Sequence, residues 1–354
     1  MASNDAGAAL RGGAQFASDN NAGMCPEALA AMIEANAAGH ALGYGGDPWT
    51  ERACDAIRTL LEAPEAEVFL VYNGTAANAL ALAQLCRSYS AVIAHAFSHI
   101  EWDEAGAVSF FSGGATIMGA DTPSGKLTPE AVTRLAGKFG RGFHHVKPAV
   151  VSLAQSTELG TVYTLAELTA ISATAHRLGL KVHMDGARFA NAVAALGCSP
   201  ADMWWRAGVD VLSLGGVKNG LGMGEALVFF DKSDARELEW RAKQAGQLNS
   251  KMRLMAAPWI GIIDSGAWLR NAQHANAMAR RLGEGLTRIA GLRLLHPVAA
   301  NAVFADIPVA VQARLRAKGW AFYTFLGETG CRLMCAWDTP ASIVEEFLSD
   351  AKGA

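Results

Sequence analysis

Short runs of consecutive apolar residues, many of them β-branched, recur along most of the chain and alternate with longer segments of helical spacing. Continuous apolar runs are typical of strands that are covered on both faces of a parallel sheet. They predict strands at Val68–Tyr72, Ala91–His95, Ala115–Met118, Ala149–Leu153, Lys181–Met184, Val209–Leu214 and Ala226–Phe230. Repeated strand, helix, strand order predicts an α/β domain in which helices sandwich a mainly parallel sheet.

Several predicted helices begin with recognisable start signals. A capping side chain stands directly before a proline at three places, Asp47-Pro48, Thr128-Pro129 and Ser199-Pro200. Proline suits the first helical position because its missing N–H costs no hydrogen bond there. A capping box formed by Thr164 and Glu167 is predicted to open a helix that runs to about His176.

The pattern changes at about Arg236. A long helical stretch, interrupted near Pro258, is predicted to run toward Leu286. Shorter pieces follow, with strand patterns at Leu292–Leu295, Ala302–Ile307 and Arg332–Ala336 and helices at Val309–Lys318 and Pro340–Ala351. We therefore predict an N-terminal arm (1–17), a large α/β domain (18–260) and a smaller C-terminal α+β domain (261–354).

The composition is that of a core-rich enzyme. Of the 354 residues, 51% are hydrophobic and 18% are charged, and the formal net charge is −3. These values exclude a disordered chain, and they leave no basic surplus for nucleic acid or an anionic membrane. The longest uncharged apolar stretch, Leu254–Ile263, is far shorter than the roughly 20 residues of a membrane span. The start of the chain has no apolar signal-peptide core and the cysteines are scattered, so we expect a cytoplasmic protein with reduced thiols.

Four features follow predicted strands, at the edge where open α/β sheets bind ligands. Asn73–Thr75 leads into an apolar helix, and the backbone amides at a helix N-terminus bind phosphate. Asp185 ends a buried strand and could pair with a cationic nitrogen. Lys218 lies among glycines, where desolvation would make its amine nucleophilic. His99 could stack on a planar cofactor and move protons.

Each feature alone also fits a structural role, namely a tight turn, a helix N-cap, an exposed loop lysine or a core histidine. Together they supply a phosphate cradle, a partner for a pyridine nitrogen, a Schiff-base lysine and a stacking ring. These are the parts that a site for pyridoxal 5'-phosphate (PLP) needs.

The order of these parts resembles that of fold-type I PLP enzymes, and most closely that of the low-specificity L-threonine aldolases. The resemblance runs from Ser18 to Asp338 and rests on Ser18-Asp19-Asn20, Tyr44-Gly45-Gly46-Asp47-Pro48, Gly74-Thr75 with Ala77-Asn78, His99, Asp185-Gly186-Ala187-Arg188, Lys218 and Arg332. It implies an aldehyde-lyase that reversibly cleaves L-threonine, L-allo-threonine and phenylserine-like amino acids to glycine and an aldehyde.

The resemblance also implies a role for each site residue. Lys218 would hold PLP as a Schiff base, Asp185 would keep the pyridine nitrogen protonated, and Lys218 and His99 would be the catalytic residues. The implied PLP-binding residues are Gly74, Thr75, His99, Asp185, Arg188 and Lys218. The implied substrate-binding residues are Ser18, Tyr44, Arg188 and Arg332, with Arg332 and Ser18 on the carboxylate. No metal is expected.

Two positions depart from the family pattern. Gly46 stands where the family has an aspartate. After the predicted strand Ala149–Leu153, many members carry a histidine near the substrate hydroxyl, whereas this chain has the sequence Gln155-Ser156-Thr157-Glu158. His99 is therefore the first candidate for the base that removes the β-hydroxyl proton, Glu158 is the second, and the preference between β-epimers stays open.

Two other functions stay open at this point, a different fold-type I reaction such as β-elimination or transamination, and PLP binding without turnover. The resemblance implies a homodimer or tetramer with active sites at subunit interfaces, to which Tyr44 or its neighbours would contribute. Elsewhere, we expect Glu101, Asp103 and Glu104 at a solvated helix start and His95 in a structural role. Core packing is expected for Trp204, Trp205, Met252 and Met255.

Overall fold

The computed structural model describes residues 15–138 and 142–353. Its larger sheet contains seven strands, which are β1 (Glu67–Val71), β2 (Ser90–His95), β3 (Thr116–Ala120), β4 (Lys147–Ala154), β5 (Lys181–Gly186), β6 (Val211–Leu214) and β7 (Glu225–Phe229). Their spatial order is β1-β7-β6-β5-β4-β2-β3. The five strands from β6 to β3 are parallel, whereas β7 runs antiparallel to both β6 and β1. The sheet is therefore mainly parallel, as the apolar runs predict.

Helices cover both faces of this sheet. They are α1 (Pro26–Ala37), α2 (Pro48–Leu60), α3 (Gly74–Leu85), α4 (His99–Trp102), α5 (Ala107–Ser112), α6 (Pro129–Gly137), α7 (Leu165–Arg177), α8 (Phe189–Leu196), α9 (Pro200–Met203), α10 (Leu238–Gln244) and α11 (Met252–Asp264). Residues that alternate along the strands pack into separate hydrophobic clusters on the two faces of the sheet. Val182 and Met184 pack with α7, α8 and α11, while Val211 and Leu227 face α3 and α10.

A smaller antiparallel sheet follows in the sequence. Its strands are β8 (Arg293–Leu294), β9 (Ala302–Asp306), β10 (Tyr323–Leu326) and β11 (Gly330–Met334), in the order β10-β11-β9-β8. It packs with α12 (Ala267–Thr287), α13 (Val309–Ala317) and α14 (Ala341–Lys352). These elements confirm the predicted α+β character of the C-terminal region. The domain boundaries at 17 and 260 stay predictions, and residues 1–14 of the predicted arm lie outside the described residues.

All seven strands predicted for the large sheet are present, with ends that shift by no more than two residues. The capping box of Thr164 and Glu167 is formed, and Asp47, Thr128 and Ser199 each cap the helix that follows. Buried Trp204, Met252 and Met255 confirm three of the expected core positions, and Trp205 packs against that core. None of the helices in the described ranges is both long and apolar enough to cross a membrane.

The predicted interruption near Pro258 is wrong. Pro258 lies inside α11, and the chain breaks instead after Gln244 and at Gly266, which adopts a left-handed φ of +72°. Proline removes only one backbone hydrogen bond from a helix. Packing of α11 against both α1 and α2 holds the helix together across that position.

Candidate active site

Asp185 lies at the carboxyl end of β5, in register with Ala154 of β4 and Ser213 of β6. Its Oδ1 accepts the Ala187 amide at 3.0 Å, and its Oδ2 accepts Nδ2 of Asn78 from α3 at 2.9 Å. Burial opposes ionisation of this carboxyl, but the charge of His99, the Ala187 amide and the charge of Lys218 hold its pKa below the ordinary value. Asp185 is therefore a buried carboxylate that suits a cationic nitrogen.

His99 begins α4 and is joined to Asp185 by a chain of buried polar groups. Its Nδ1 lies 2.8 Å from Oε1 of Glu104, and Nδ2 of Asn78 donates to the same Oε1 at 2.8 Å. The hydrogen bond to Glu104 raises the pKa of His99, and burial raises the pKa of Glu104. Both shifts keep a proton between the two side chains. The His99 side chain is still 43% exposed, which leaves part of its ring open to a ligand.

The expectation that Glu104 is solvated is wrong, since only 3% of this residue is exposed. The short helix α4 ends at Trp102, and the chain then turns so that Glu104 points back toward His99 while Glu101 and Asp103 face solvent. A buried carboxylate needs polar partners, and His99 and Asn78 supply them. His95 is buried as expected, with Nε2 3.0 Å from the Thr122 carbonyl oxygen.

Lys218 lies on the 3₁₀ turn Val217–Asn219, between β6 and β7. The side chain is half-buried, and Nζ has no hydrogen-bond partner among the residues that the structure describes. Its charge acts on three buried carboxyls, those of Asp19, Asp185 and Glu225. The structure thus brings Lys218 to the same edge of the sheet as Asp185, and its amine is free for a covalent partner.

The N-terminus of α3 lies at this edge of the sheet. Asn73 caps the helix, its Oδ1 accepting the Ala76 amide at 2.9 Å. The Gly74 and Thr75 amides have no hydrogen-bond partner within the described ranges, and a Cβ at Gly74 would meet no atom within 4 Å. Open space in front of unpaired amides at the positive end of a helix suits a phosphate group.

Arg188 is held by a bidentate ion pair. Its Nε and Nη2 donate to the two carboxylate oxygens of Asp19 at 2.7 and 2.8 Å, and Nδ2 of Asn301 donates to Asp19 at 2.9 Å. Burial alone would raise the pKa of Asp19. The positive charge and the hydrogen bonds of Arg188 have the larger opposite effect, so the pKa of this carboxyl is lowered. The neighbouring Ser18 caps the turn Asp19–Asn21, its Oγ accepting the Asn20 amide. Within the Ser-Asp motif, it is therefore Asp19 that contacts the site arginine.

Arg332, on β11, is a second guanidinium near Arg188. Its Nε is buried without a hydrogen-bond partner among the described residues, and the guanidinium lies 5.4 and 5.0 Å from the ring centroids of Tyr323 and Phe325. Burial and the charge of Arg188 lower the pKa of Arg332. An unpaired buried donor beside another cation is suited to binding an anion, such as the carboxylate of an amino acid.

Glu158 contacts the backbone of His99. Its Oε1 accepts the His99 amide at 2.8 Å, and its Oε2 is buried without a partner in the described part of the chain. Both residues line a small cavity that also reaches Ser98, Tyr163 and Asp185. Burial raises the pKa of Glu158 to about 7. The structure thus places the two candidate bases next to each other.

Tyr44 is a predicted site residue whose described contacts lie away from Asp185 and His99. It is 54% exposed, and Nζ of Lys243 lies 4.5 Å from the centroid of its ring. With Tyr72 and Gln247 it lines a groove on the surface of the chain. No described contact joins Tyr44 to His99 or Asp185.

The sequence did not predict three polar residues of this region, Glu104, Glu225 and Asn301. The spacing of five residues between His99 and Glu104 could have indicated a local pair. A turn directly after a one-turn helix can bring the two side chains together. No local sequence pattern marks Glu225 or Asn301. Glu225 accepts the Gly216 amide across a loop, and Asn301 donates to Asp19, which is distant in sequence.

The observed groups fit PLP. The free amides of Gly74 and Thr75 face open space, Asp185 is anionic, Lys218 carries an unbonded amine, and the unpartnered Nε of Arg332 lies ready for a carboxylate. The fold and this group of residues define a class, that of α/β enzymes whose site lies at the carboxyl end of a mainly parallel sheet.

Comparison with known proteins identifies the family. Residues 15–310 match the model of the beta-eliminating lyase family. Low specificity L-threonine aldolases of Pseudomonas aeruginosa and of a second Pseudomonas strain are 54% and 51% identical over 338 residues, which cover 96% of this chain and 97% of each relative. A solved threonine aldolase structure from Leishmania major superimposes with a TM-score of 0.90 at 30% identity, covering 96% of this chain and 98% of that chain. The chain belongs to the beta-eliminating lyase family and, within it, to the low-specificity L-threonine aldolases.

Proposed function

We propose that this protein is a PLP-dependent aldehyde-lyase that reversibly cleaves L-threonine, L-allo-threonine and phenylserine-like β-hydroxy-α-amino acids to glycine and an aldehyde. The observation that carries the proposal is the convergence of Lys218 and Asp185 beside the free N-terminus of α3, with Arg332 unpaired nearby. Relatives at 54% and 51% identity carry the name low specificity L-threonine aldolase, which supports the same activity.

In this proposal three groups would hold the cofactor. The amides of Gly74 and Thr75 would bind its phosphate, Asp185 would pair with its ring nitrogen, and Lys218 would bind its aldehyde. His99 would supply an aromatic ring beside it. When bound, PLP supplies an electron-accepting ring that withdraws charge from the substrate carbon next to it.

The arginines determine which substrate bond reacts. Arg332 would bind the substrate carboxylate, with Ser18 as a second contact and Arg188 offering Nη1, the one guanidinium nitrogen without a bond to Asp19. A planar guanidinium fixes both carboxylate oxygens. Fixing that group would orient the substrate so that its Cα–Cβ bond is the bond that reacts, which would favour aldol cleavage over reaction at the other bonds of Cα.

Proton removal from the β-hydroxyl is assigned to His99, with Glu158 as the alternative base. His99 is partly exposed and is linked through Glu104 to a buried network, so a proton taken up by its ring is stabilised. Glu158 holds the His99 backbone, and both residues line the same small cavity. Either assignment therefore places the base at this cavity.

The experiment that tests the function is Lys218→Ala. We expect loss of the visible cofactor absorbance and at least a thousandfold loss of glycine formation from L-threonine, because the covalent attachment point is removed. Lys232→Ala is the matched control, since Lys232 is an exposed lysine paired with Glu65. Retained absorbance together with retained glycine production in the Lys218 variant would refute the proposal.

Product analysis separates this function from other reactions of the same cofactor. Glycine and acetaldehyde from L-threonine indicate aldol cleavage, an α-keto acid with ammonia indicates β-elimination, and amino-group exchange with an α-keto acid indicates transamination. Absorbance without turnover of any hydroxy amino acid would indicate a binding protein. We further propose a cytoplasmic homodimer or homotetramer in which Tyr44 contributes to a neighbouring subunit's site.

A further inference from the structure

Glu225 is a buried carboxyl for which the proposed reaction has no role. It is the first residue of β7 and only 4% exposed. Antiparallel pairing of Leu214 with Ala226 places Glu225 beside the start of the loop from Gly215 to Gly224, which carries Lys218. Glu225 therefore lies at the base of the lysine loop.

Its contacts are directed at the two residues that precede Lys218. Oε2 of Glu225 accepts the amides of both Gly216 and Val217, the latter at 3.3 Å. One carboxylate oxygen thus fixes two consecutive peptide groups at the entry to the turn. Such hydrogen bonds to an ionised acceptor are stronger than those between neutral groups.

The surrounding glycines leave the loop little freedom to move away. A Cβ at Gly215 would lie 2.5 Å from the Ala187 carbonyl oxygen, and one at Gly216 would lie 2.7 Å from the Trp259 ring. Gly215 also donates to the Gly186 carbonyl at 3.0 Å. The distance between Glu225 and the lysine segment is therefore set by close packing on both sides.

Two charged side chains, Lys218 and Asp185, influence the pKa of Glu225. Burial and the negative charge of Asp185 raise this pKa, whereas the positive charge of Lys218 lowers it. No cation lies within ion-pair distance of Glu225 among the described residues, and its partner on β1, Val71, is uncharged. Burial raises the pKa of Glu225 to about 7, so its charge changes near neutral pH.

We propose that Glu225 is a positioning residue for Lys218, which fixes the turn that carries the lysine and places a buried carboxyl counter-charge beside that turn. This inference rests on the proposed function in one respect, that Lys218 is the residue to which PLP attaches. Asp185 would act on the ring nitrogen of PLP, while Glu225 would act on the lysine segment.

The test is a pH titration of the visible absorbance of the PLP-loaded protein, compared between wild type, Glu225→Gln and Glu225→Asp. Glutamine keeps an oxygen that can accept both amides but removes the charge. We expect its titration midpoint to fall by about one pH unit or more, because the substitution removes a buried negative charge that acts on Lys218. Aspartate keeps the negative charge but moves it one methylene away from the Gly216 and Val217 amides. The titration midpoint of this variant should therefore stay within about half a pH unit of wild type, while its PLP affinity falls because the turn is held less firmly.

Glu67→Gln is the matched control. Glu67 pairs with Phe229 at the opposite end of β7, and its variant should titrate like wild type. The role of Glu225 as a counter-charge would be refuted if the Glu225→Gln midpoint equalled that of wild type. A fall of a full pH unit in the Glu225→Asp midpoint would also refute it. Failure of the proposed function would look different, because the Lys218→Ala variant would then keep the absorbance of the wild-type protein.

Discussion

His99 is a histidine whose protonation is controlled by one buried neighbour. Glu104 bonds its Nδ1 at 2.8 Å and raises the pKa of the imidazole. We expect Glu104→Gln to lower the pKa of His99, because the amide keeps a hydrogen bond but not the charge. The measurement is an NMR titration of the His99 ring.

The matched control for this prediction is Glu101→Gln, which changes an exposed glutamate of the same short helix. Its variant should leave the His99 titration in place. If the two variants moved the titration equally, the shift would come from the net charge of the segment rather than from the buried contact. In that case the buried contact with Glu104 would not set the pKa of His99.

Residue by residue, the sequence identified the groups whose chemistry is visible in their own type and place. Asp185, Lys218 and His99 each follow a predicted strand, and the carboxyl ends of parallel strands meet at one edge of a sheet. Glu104 and Glu225 could not be assigned in this way. Their roles depend on burial and on partners across turns, which no local pattern specifies.

At the scale of elements, the N-terminus of α3 combines a cap with a free pair of amides. Asn73 satisfies the Ala76 amide and leaves those of Gly74 and Thr75 available. We expect Asn73→Ala to lower the free energy of unfolding by about 1 kcal/mol. We also expect weaker PLP affinity, because the amides that take the phosphate lose their fixed direction.

Thr128→Ala is the control for the cap. Thr128 caps α6 by accepting the Ala131 amide, and α6 carries none of the proposed cofactor contacts. Urea unfolding should report a similar loss for both variants, whereas PLP titration should separate them. Equal PLP affinity in the two variants would show that the Asn73 cap serves stability alone.

Elements were predicted well where one signal dominated. The capping box of α7 and the apolar runs of the large sheet act locally, and the structure confirms both. Pro258 shows the opposite case. Its local preference to end a helix is outweighed by contacts of α11 with α1 and α2, which are distant in sequence.

At the scale of the whole molecule, the segment that begins at Gln15 connects the two sheets. Phe16 packs with Trp320 and Phe347 in the core of the smaller sheet, and its backbone bonds Ala321 and Met334. Three residues later, Asp19 pairs with Arg188 next to the large sheet. The site therefore lies where this segment passes from one sheet to the other.

Asp19→Asn should destabilise the protein by roughly 3–5 kcal/mol at pH 7, because it leaves the Arg188 charge buried without its partner. Pairing with Arg188 holds the pKa of Asp19 below its ordinary value of 3.8, so this stabilisation is complete above that pH and is lost as pH falls through the lower folded-state value. Urea unfolding at pH 7 and below pH 3.8 should therefore show a difference between wild type and variant that shrinks in acid.

Asp264→Asn provides the comparison for this pair. Asp264 bonds Arg52 on the surface, where both side chains are more than half exposed, and such pairs contribute little to stability. A loss in the Asp19 variant no larger than that in the Asp264 variant would mean that the Arg188 pair does not join the two sheets energetically.

The sequence by itself determined the mainly parallel sheet, the starts of the main helices and the residue types of the proposed PLP site, because hydrophobic period, capping and strand-end chemistry are local properties. Only the tertiary structure decided that Glu104 is buried against His99, that Glu225 lies at the base of the lysine loop and that Asp19 holds Arg188. Those outcomes depend on desolvation, and the desolvation of a charged group is fixed by segments that meet only when the chain has folded.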